Sequence, residues 1–570
     1  MIRKNHNIKG LSICNFEYKL TAFADDTTFF CSDLNSAKII IDTFNNFSRY
    51  SGLKVNTDKC EICGIGVKRG DEIALCGMKC VDLENDSIKI LGVYYSYNDE
   101  IVKIKNILEV IESIETVISV WRMRCITLGG KITVLKTLVM SKIVFISFLS
   151  NVPSTIVDKL ITIQNDFLWD GKRPKVKHAA LIGSYETGGL KSLDIEAKIK
   201  ALQLSWVKRL YDGTSHSWKN IPLYYLSKQT DTIFYPNLEI NPDVNMPTFY
   251  KNIIKHWTEI SKCNPVSTNA ILAQRLQFNC FIKINHRPIS WNFPNVLFVK
   301  HLLDINGLFL DWQNFKIKYH LEDSHYFRWM QLINSIPTNR KIILRRDRGE
   351  GSFDPRQHLL KATRLLILER LTCKELYNIF IAKLKESPTT EGTIQGILNT
   401  NDINWTKAYI LAREVTIENY SRIFHFKTTH NILYLNKVLH RMQISATSFC
   451  SFCHTDHETI LHLYSQCPIV LNLWSQLKSY FSRTLIIPPL TPQSAFLGFF
   501  SIHEKKMIIN QILLTFKIVI YKSREAGICN LLKIINKIKQ TKLIEDAISS
   551  KDERKKRYND SKWSEISFIN

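Results

Sequence analysis

The stretch LTAFADDTTFF, residues 20–30, places two adjacent acids, Asp25 and Asp26, between two short apolar runs. Residues 20–23 and 27–30 each have a strand-like composition, and the small, turn-compatible ADD segment separates them. The segment therefore predicts a β-hairpin with both carboxylates at its tip. Because adjacent carboxylates repel each other, the pair would be stabilised by Mg²⁺, which prefers oxygen ligands. A polar turn without metal is the alternative interpretation.

The composition of the chain indicates a soluble globular protein with a polyanionic partner. Its 570 residues suffice for about three or four domains, and 45% are hydrophobic and 22% charged. With 76 Lys+Arg against 52 Asp+Glu, the formal net charge is +24. Nucleic acid is the first candidate partner, because each phosphate contact releases condensed counterions. A solvated basic surface would have the same composition.

The sequence predicts an intracellular protein, in the nucleus or the cytoplasm. The N-terminus MIRKNHNIKG lacks the apolar run of a secretory signal. The most apolar stretch, residues 138–157, is interrupted by Lys142 and Pro153, so no membrane-spanning helix is expected. In a reducing compartment, the 14 cysteines favour metal binding or burial over disulfides.

Further motifs follow the acids in a fixed order. They are SGLKVNTDKCEICGIG (51–66), IKILGVYYS (88–96), WRMRCITLGGKITVLKTLVMSKIVF (121–145), FLWDGKRPKVKHAAL (167–181), GGLKSLDIEAKIKALQLSWVKRL (188–210) and CSFCHTDHETILHLYSQCP (450–468). Together with FADD, they resemble the C-terminal part of the reverse transcriptase of a non-LTR (LINE-type) retrotransposon. The resemblance extends over residues 9 to about 225 and 400 to 480.

The resemblance implies RNA-directed DNA polymerisation. Asp25 and Asp26 would be palm carboxylates that bind Mg²⁺, with Phe23 packed beneath them, so that a primer 3′-hydroxyl attacks the α-phosphate of a deoxynucleotide. Lys59 would lie near the triphosphate, or would be a solvent-facing lysine. The Leu-Gly pair of IKILGVYYS would lie in the primer-grip hairpin, or within an ordinary strand.

The sequence departs from the family pattern upstream of the acids. The family places a further metal-binding Asp and the fingers before the FADD hairpin, but only 22 residues precede Phe23 here. Because two-metal catalysis needs the full set of carboxylates, we expect a partial palm that does not polymerise alone. An upstream polymerase segment, as a partner, would change this expectation. Asp33 and Asp42 are not expected to substitute, since they lie on or after the departing strand.

A cysteine and histidine group near residue 450 has the spacing of a structural zinc site. Cys450-x2-Cys453-x8-His462-x4-Cys467 supplies three thiolates and one imidazole, a closed tetrahedral ligand set. His454 and His457 are competing ligands. The resemblance implies that this zinc knuckle helps to hold RNA or target DNA.

A second cysteine group, Cys60-x2-Cys63-x12-Cys76-x3-Cys80, could also close a zinc site. The alternation of apolar residues between and after these cysteines favours paired strands that contain small buried cysteines.

A basic turn follows the aromatic residues Phe167 and Trp169. It contains Gly and Pro and carries Lys172, Arg173, Lys175 and Lys177. Such a turn suits contacts with nucleic-acid phosphates, and a solvated loop is the alternative.

Apolar spacing predicts a mainly helical α+β chain. Its expected domains are a partial palm (1–98), a helical thumb (101–225), a mixed connecting region (226–395) and a helical C-terminal region (396–570) with the zinc knuckle at 450–467. Near the C-terminus, LLKIINKIKQTKLIEDA predicts a packed amphipathic helix, followed by a charged tail, KDERKKRYNDSKW. Three functions fit: a reverse-transcriptase piece, a nucleic-acid-binding zinc-knuckle protein, or an inert transposon relic.

Overall fold

Helices form most of the chain in a computed structural model of the protein. The structure describes residues 2–52, 54–66, 75, 77–210, 214–229, 246–261, 268–346, 358–361, 364–367, 371–500, 505–564, 566 and 568. Within these residues, the strands form six two-stranded sheets, and isolated β-bridges lie outside them. The predicted class, mainly helical α+β, is confirmed at this level.

The N-terminal part combines short strand pairs with one long helix. Its strands are β1 (Leu11–Ile13), β2 (Phe16–Tyr18), β3 (Leu20–Phe23), β4 (Asp26–Phe29), β5 (Glu61–Ile62), β6 (Lys79–Cys80), β7 (Ile88–Ile90) and β8 (Val93–Tyr95). Helix α1 (Leu34–Ser51) begins after Asp33, whose side chain accepts a hydrogen bond from the Ser36 amide, and ends at Gly52, where φ is +75°. These caps explain why the helix begins and ends where it does.

The next segment is helical, as predicted for residues 101–225. Its helices are α2 (Asp99–Lys103), α3 (Glu109–Arg122), α4 (Leu128–Val134), α5 (Met140–Leu149), α6 (Ser154–Trp169), α7 (His178–Leu181), α8 (Ile195–Leu210) and α9 (Asn220–Gln229). π-Helical turns, Ile104–Leu108 and Leu135–Val139, connect α2 to α3 and α4 to α5 without a break.

One continuous helix in this segment meets the length and composition criteria of a membrane-spanning helix, although none was expected from the sequence. Leu128–Leu149 is long and apolar enough to cross a membrane by length and composition, although 44% of its apolar window is buried inside the structure. A single helix of this kind is weak evidence, because core helices of soluble proteins meet the same criterion.

The middle of the chain has its own apolar core. Its elements are α10 (Thr248–Ser261), α11 (Thr268–Leu272), β9 (Lys283–Ile284), β10 (Arg287–Pro288), α12 (Trp312–Tyr319), α13 (Tyr326–Ser335), α14 (Thr338–Arg346), β11 (His358–Lys361), β12 (Arg364–Ile367) and α15 (Cys373–Ala382). Phe293, Val299 and Phe315 are among the buried residues of this core.

The C-terminal part is helical around the zinc-site residues, as predicted. Its helices are α16 (Thr390–Leu398), α17 (Trp405–Val415), α18 (Asn419–Thr429), α19 (Asn436–Arg441), α20 (Pro468–Phe481), α21 (Pro492–Phe496), α22 (Lys506–Ser523), α23 (Leu531–Ser549) and α24 (Glu553–Trp563). Every residue of α22 from Ile508 to Ile520 is buried, so this helix is the centre of the C-terminal core.

The chain divides into two compact units, each built from separate segments. The first unit comprises Met1–Thr116, Ser141–Asp158 and Ile195–Phe380, and the second comprises Val117–Met140, Lys159–Asp194 and Ile381–Asn570. The predicted thumb range, 101–225, contributes to both units. The four predicted domain boundaries stay predictions.

The predicted charged tail, residues 551–563, forms helix α24 over most of its length, and three residues of this helix are buried: Asn559, Lys562 and Trp563. Trp563 of α24 is 2% exposed. Lys562 forms a buried ion pair with Glu545 of α23, and Glu545 also accepts hydrogen bonds from Trp563 Nε1 (2.9 Å) and Thr416 Oγ1 (2.7 Å). The sequence did not predict this helix. One tryptophan and one fully bonded lysine suffice to bury one side of it, while its other charged residues stay exposed.

We expect the substitution Glu545→Ala to destabilise the second unit by about 3 to 5 kcal/mol, because it leaves the Lys562 ammonium buried without its counter-charge. Urea unfolding would measure the loss. The control is Glu553→Ala, which removes the exposed ion-pair partner of Arg557 within α24. It should change the free energy of unfolding by less than about 0.5 kcal/mol. Equal effects of the two substitutions would contradict this account of the network.

Candidate metal centre and nucleic-acid surface

The paired acids lie on a tight hairpin, as the sequence predicts. Phe23 pairs with Asp26 across β3 and β4, so the turn consists of Ala24 and Asp25. Ala24 has a positive φ of 51°, which primed hairpin turns require at their first position. Asp26 is therefore the first residue of β4, and only Asp25 belongs to the turn itself.

The base of this hairpin is packed, but its tip is exposed. The Phe29 ring meets the Phe44 ring of α1 edge to face, with 5.3 Å between centroids. Phe23, in contrast, is 68% exposed, so the expectation that it packs beneath the carboxylates was wrong. The reason is that β3 and β4 pair only with each other among the described strands, and nothing there covers the tip.

The described residues do not complete a magnesium site around the hairpin. No group of three or more His, Cys, Asp or Glu ligands in this part of the chain includes Asp25 or Asp26. Asp33 caps α1, and Asp42 is exposed on that helix. Two-metal phosphoryl transfer needs more ligands than two neighbouring carboxylates supply. Asp25 and Asp26 alone therefore do not fit a complete polymerase centre.

Three other residues implied by the family resemblance have defined places. Leu91 and Gly92 form the two-residue turn between β7 and β8, with φ values of 48° and 85°, and so lie in a hairpin and not within a strand. Lys59 ends a short 3₁₀ turn and is exposed. The roles of this hairpin as primer grip and of Lys59 at a triphosphate stay predictions.

The structure brings together the four predicted zinc ligands. The ligand atoms of Cys450, Cys453, His462 and Cys467 all lie within 4.8 Å of one another. The Cys450 and Cys467 sulfurs are 3.9 Å apart, and Cys453 Sγ is 3.2 Å from His462 Nε2. A tetrahedral Zn²⁺ with Zn–S bonds of about 2.3 Å separates two sulfurs by about 3.8 Å, so the geometry and the donor set fit this ion.

Local backbone structure positions these ligands. Cys450 and Cys453 flank a tight turn closed by the His454 amide, which donates to the Cys450 carbonyl over 3.1 Å. His462 begins a single π-helical turn that ends at Cys467, and Pro468 then starts α20. The nitrogen that does not face the sulfurs, His462 Nδ1, is buried without a hydrogen bond, and the Asp456 carboxylate lies 3.7 Å from it.

The competing histidines have other surroundings. His454 is exposed at a position with φ of 57°. His457 makes a 2.8 Å hydrogen bond through Nδ1 with Ser448 Oγ, and its ring stacks beside Phe449. Neither histidine belongs to the four-ligand cluster, so the structure selects His462 among the three candidates.

A buried ion pair supports the knuckle from below. Glu458 is 0% exposed, and it accepts hydrogen bonds from the Ser451 amide and from Arg524 Nε (2.9 and 2.7 Å). Burial alone would raise the pKa of Glu458, but the Arg524 charge and the hydrogen bonds from Ser451 and Asn436 outweigh it and hold this pKa below its usual value. The ionised pair therefore fixes the loop that carries Cys450 and Cys453 to the residue that follows α22. Sequence reasoning missed this pair, because no spacing rule connects Glu458 with Arg524.

The first cysteine group does not form a second cluster among the described residues. Cys60, Cys63 and Cys80 are partly buried, and Cys76 lies outside the described residues. Burial raises the pKa of Cys60 and of Cys63. Strands β5 and β6 are paired as expected, but they run parallel and not as a hairpin. The choice between zinc and unligated thiols stays open here, because Cys76 would be one of the ligands.

The predicted basic turn is exposed and connects α6 to α7. Asp170 and Gly171 turn the chain with φ values of 53° and 70°. Its exposed basic residues are Lys172, Arg173, Lys175 and Lys177. Lys177 pairs with Glu386 at 3.0 Å. Phe167 is 0% exposed and belongs to the core, so it cannot be one of the aromatic residues that contact a ligand.

The basic turn and the knuckle meet within the second unit. Lys175 Nζ lies 5.4 Å from the centre of the Tyr434 ring, a cation–π contact. The Tyr434 carbonyl accepts a 2.8 Å hydrogen bond from Arg524, the partner of Glu458. One series of contacts thus connects the turn at 172–177 with the knuckle at 450–467. The two features are more than 270 residues apart in sequence.

Comparison with known protein families identifies two regions of the chain. Residues 2–95 match the family described as reverse transcriptase (RNA-dependent DNA polymerase). Residues 397–474 match the family described as zinc-binding in reverse transcriptase. The first match contains the acid hairpin, and the second contains all four clustered ligands. The chain therefore has a reverse-transcriptase region and a zinc-binding region, which indicates a function related to reverse transcription and nucleic-acid binding.

Purified protein should contain about one zinc per chain, and the substitution Cys453→Ala should abolish binding, because a structural site needs all four ligands. Metal analysis by mass spectrometry measures the ratio. The control, Cys529→Ala, replaces a partly buried cysteine outside the cluster and should retain the metal. A ratio of two that falls to one in Cys60→Ala/Cys63→Ala would show that the first cysteine group also binds zinc.

Proposed function

We propose that this chain is the C-terminal part of a non-LTR retrotransposon reverse transcriptase, and that its second unit binds RNA and DNA through the basic turn and a structural zinc knuckle. Zn²⁺, held by Cys450, Cys453, His462 and Cys467, would act structurally, because four protein ligands leave no open position for a reacting water. The order of motifs along the chain supports the non-LTR assignment.

The observation that carries this proposal is the contact between the basic turn and the knuckle support. A series of contacts joins the exposed cations of the turn to the loop of the zinc ligands. It runs from Lys175 through Tyr434 and Arg524 to Glu458. Nucleic acid that contacts Lys172 and Arg173 would therefore lie beside a rigid second element of the same unit. Such preorganisation favours binding because little ordering remains to be done on association.

We further propose that this chain alone does not polymerise DNA. The exposed hairpin tip and the lack of a third clustered ligand around Asp25 and Asp26, among the described residues, support this inference. A second polypeptide segment that supplies the other carboxylates would be needed for Mg²⁺-dependent chemistry. Binding and catalysis are thus separable in this chain, and each has its own experiment.

Binding of RNA or DNA should weaken steeply with salt, since phosphate contacts release counterions. The substitution Lys172→Ala/Arg173→Ala should lower the slope of log K against log salt by about 2, since each lost phosphate contact changes it by about 1. Fluorescence anisotropy at several salt concentrations measures both slopes. The control, Lys555→Ala/Arg557→Ala, removes the same charge from α24 of the same unit and should leave the slope nearly unchanged. Equal slopes in all three proteins would place the binding surface elsewhere.

Primer extension on an RNA template with Mg²⁺ tests the catalytic part of the proposal. We expect no DNA product from the unmodified chain or from Asp25→Asn/Asp26→Asn, while both proteins bind RNA with equal affinity. Product made only by the unmodified chain would contradict the proposal, and would mean that a further carboxylate of this chain completes the site.

A further inference from the structure

Two exposed rings lie side by side on the outer surface of the knuckle. Phe449 and His457 face each other in an isolated antiparallel bridge. Their rings are nearly parallel, with an interplanar angle of 7° and 5.6 Å between centroids. Phe449 is 44% exposed, and His457 is exposed as well. A pair of large flat rings at the surface has no role in the apolar core, so its exposure calls for another explanation.

The backbone on both sides of the rings is fixed. The Cys450 amide donates to the Asp456 carbonyl over 2.8 Å, and the Glu458 amide donates to the Ser448 carbonyl over 2.9 Å. Phe449 directly precedes the zinc ligand Cys450, and His457 directly precedes the buried Glu458. The His457 ring is also held by its 2.8 Å hydrogen bond with Ser448. The two rings therefore form a rigid surface whose position depends on the knuckle.

The spacing of the rings determines how a flat ligand can bind. Insertion between two parallel rings needs roughly 6.8 Å, twice the spacing of about 3.4 Å between stacked bases. The 5.6 Å between the centroids is too short for insertion. A planar ligand must therefore stack on the outer face of the pair, as an unpaired base does on an aromatic residue.

The charges around the pair favour a nucleic acid as this ligand. Residues 419–455 contain no Asp or Glu. The exposed residues Lys437 and Arg441 lie on α19, and the Lys437 amide approaches the Glu458 carbonyl at 3.4 Å, next to His457. Of the two nearby acids, Glu458 is neutralised by Arg524, and the exposed Asp456 is a single carboxylate against the two cations. Cations beside a stacking surface are the combination that binds single strands without sequence preference.

We propose that Phe449 and His457 form a stacking platform for an unpaired base of single-stranded RNA or DNA, with Lys437 and Arg441 near its backbone. The platform rests on the proposed nucleic-acid function and adds to it a preference for single strands. Bases in a duplex cannot reach the platform, because they are already stacked and paired. The platform would thus act where a template or a DNA end is single-stranded.

The test compares the full-length, zinc-loaded protein with Phe449→Ala on three probes: a single-stranded RNA, a single-stranded DNA of the same sequence, and the blunt DNA duplex. Loss of one stacked base should weaken single-strand binding about 5- to 150-fold and leave duplex binding unchanged. Phe449→Trp should retain affinity, and its fluorescence should change on addition of the single strands but not of the duplex. Phe327→Ala, at a 60% exposed ring in the first unit, is the matched control.

Four outcomes are distinguishable. Selective loss with Phe449→Ala, at unchanged zinc content and melting temperature, supports the platform, and the RNA and DNA probes show whether it discriminates the sugar. Equal loss on single strands and duplex, or no loss, overturns the platform while the proposed function stands. If the unmodified protein binds none of the probes, both proposals fail. If Phe449→Ala loses zinc, the fluorescence of Phe449→Trp tests the platform instead. A change on single strands only supports the platform, and an unchanged signal on single strands overturns it.

Discussion

The buried pair of Glu458 and Arg524 is the interaction on which the rest of the second unit's surface depends. Both groups are withdrawn from water, with exposed side-chain fractions of 0% and 9%. Such a pair persists only when hydrogen bonds saturate both partners. Glu458 accepts hydrogen bonds from the Ser451 amide, between two zinc ligands, and from the Asn436 amide at the start of α19. Arg524 donates to the Tyr434 carbonyl beside the basic turn. One ion pair thus sets the geometry of three surface elements.

The two regions that match reverse-transcriptase families differ in how many parts of a site the structure shows in each. Around the knuckle, the four ligands, their supporting carboxylate and the core below them are all present in one unit. Around the acid hairpin, the base is packed on α1 but the turn is exposed on both sides. Phe23, next to this turn, is also exposed. Among the described residues, the knuckle is therefore the more complete of the two sites.

The sequence predicted features that depend on short spacings and missed those that depend on tertiary contacts. The FADD hairpin and the ligand set at Cys450 follow from turn chemistry and ligand spacing, which are local. Cys450 and Cys467 are only 17 residues apart, so ligand spacing could be read directly. The Glu545–Lys562 pair and the exposure of Phe23 depend on which elements pack together, and no local rule gives this information. The C-terminal helix α24 was missed because its charged composition hides the single tryptophan that anchors it.

The burial of α22 has a consequence for how the protein is made. This helix is enclosed by elements on both sides of it in sequence, including α17, α23 and α24. The second unit also draws on segments near residues 117–140 and 159–194, which leave the ribosome long before α24 does. Its core therefore cannot be completed before α24 has been synthesised, and until then its apolar segments lack part of their packing. A premature stop at or before residue 562 would remove Lys562 and Trp563, so it would affect the whole unit and not only its end.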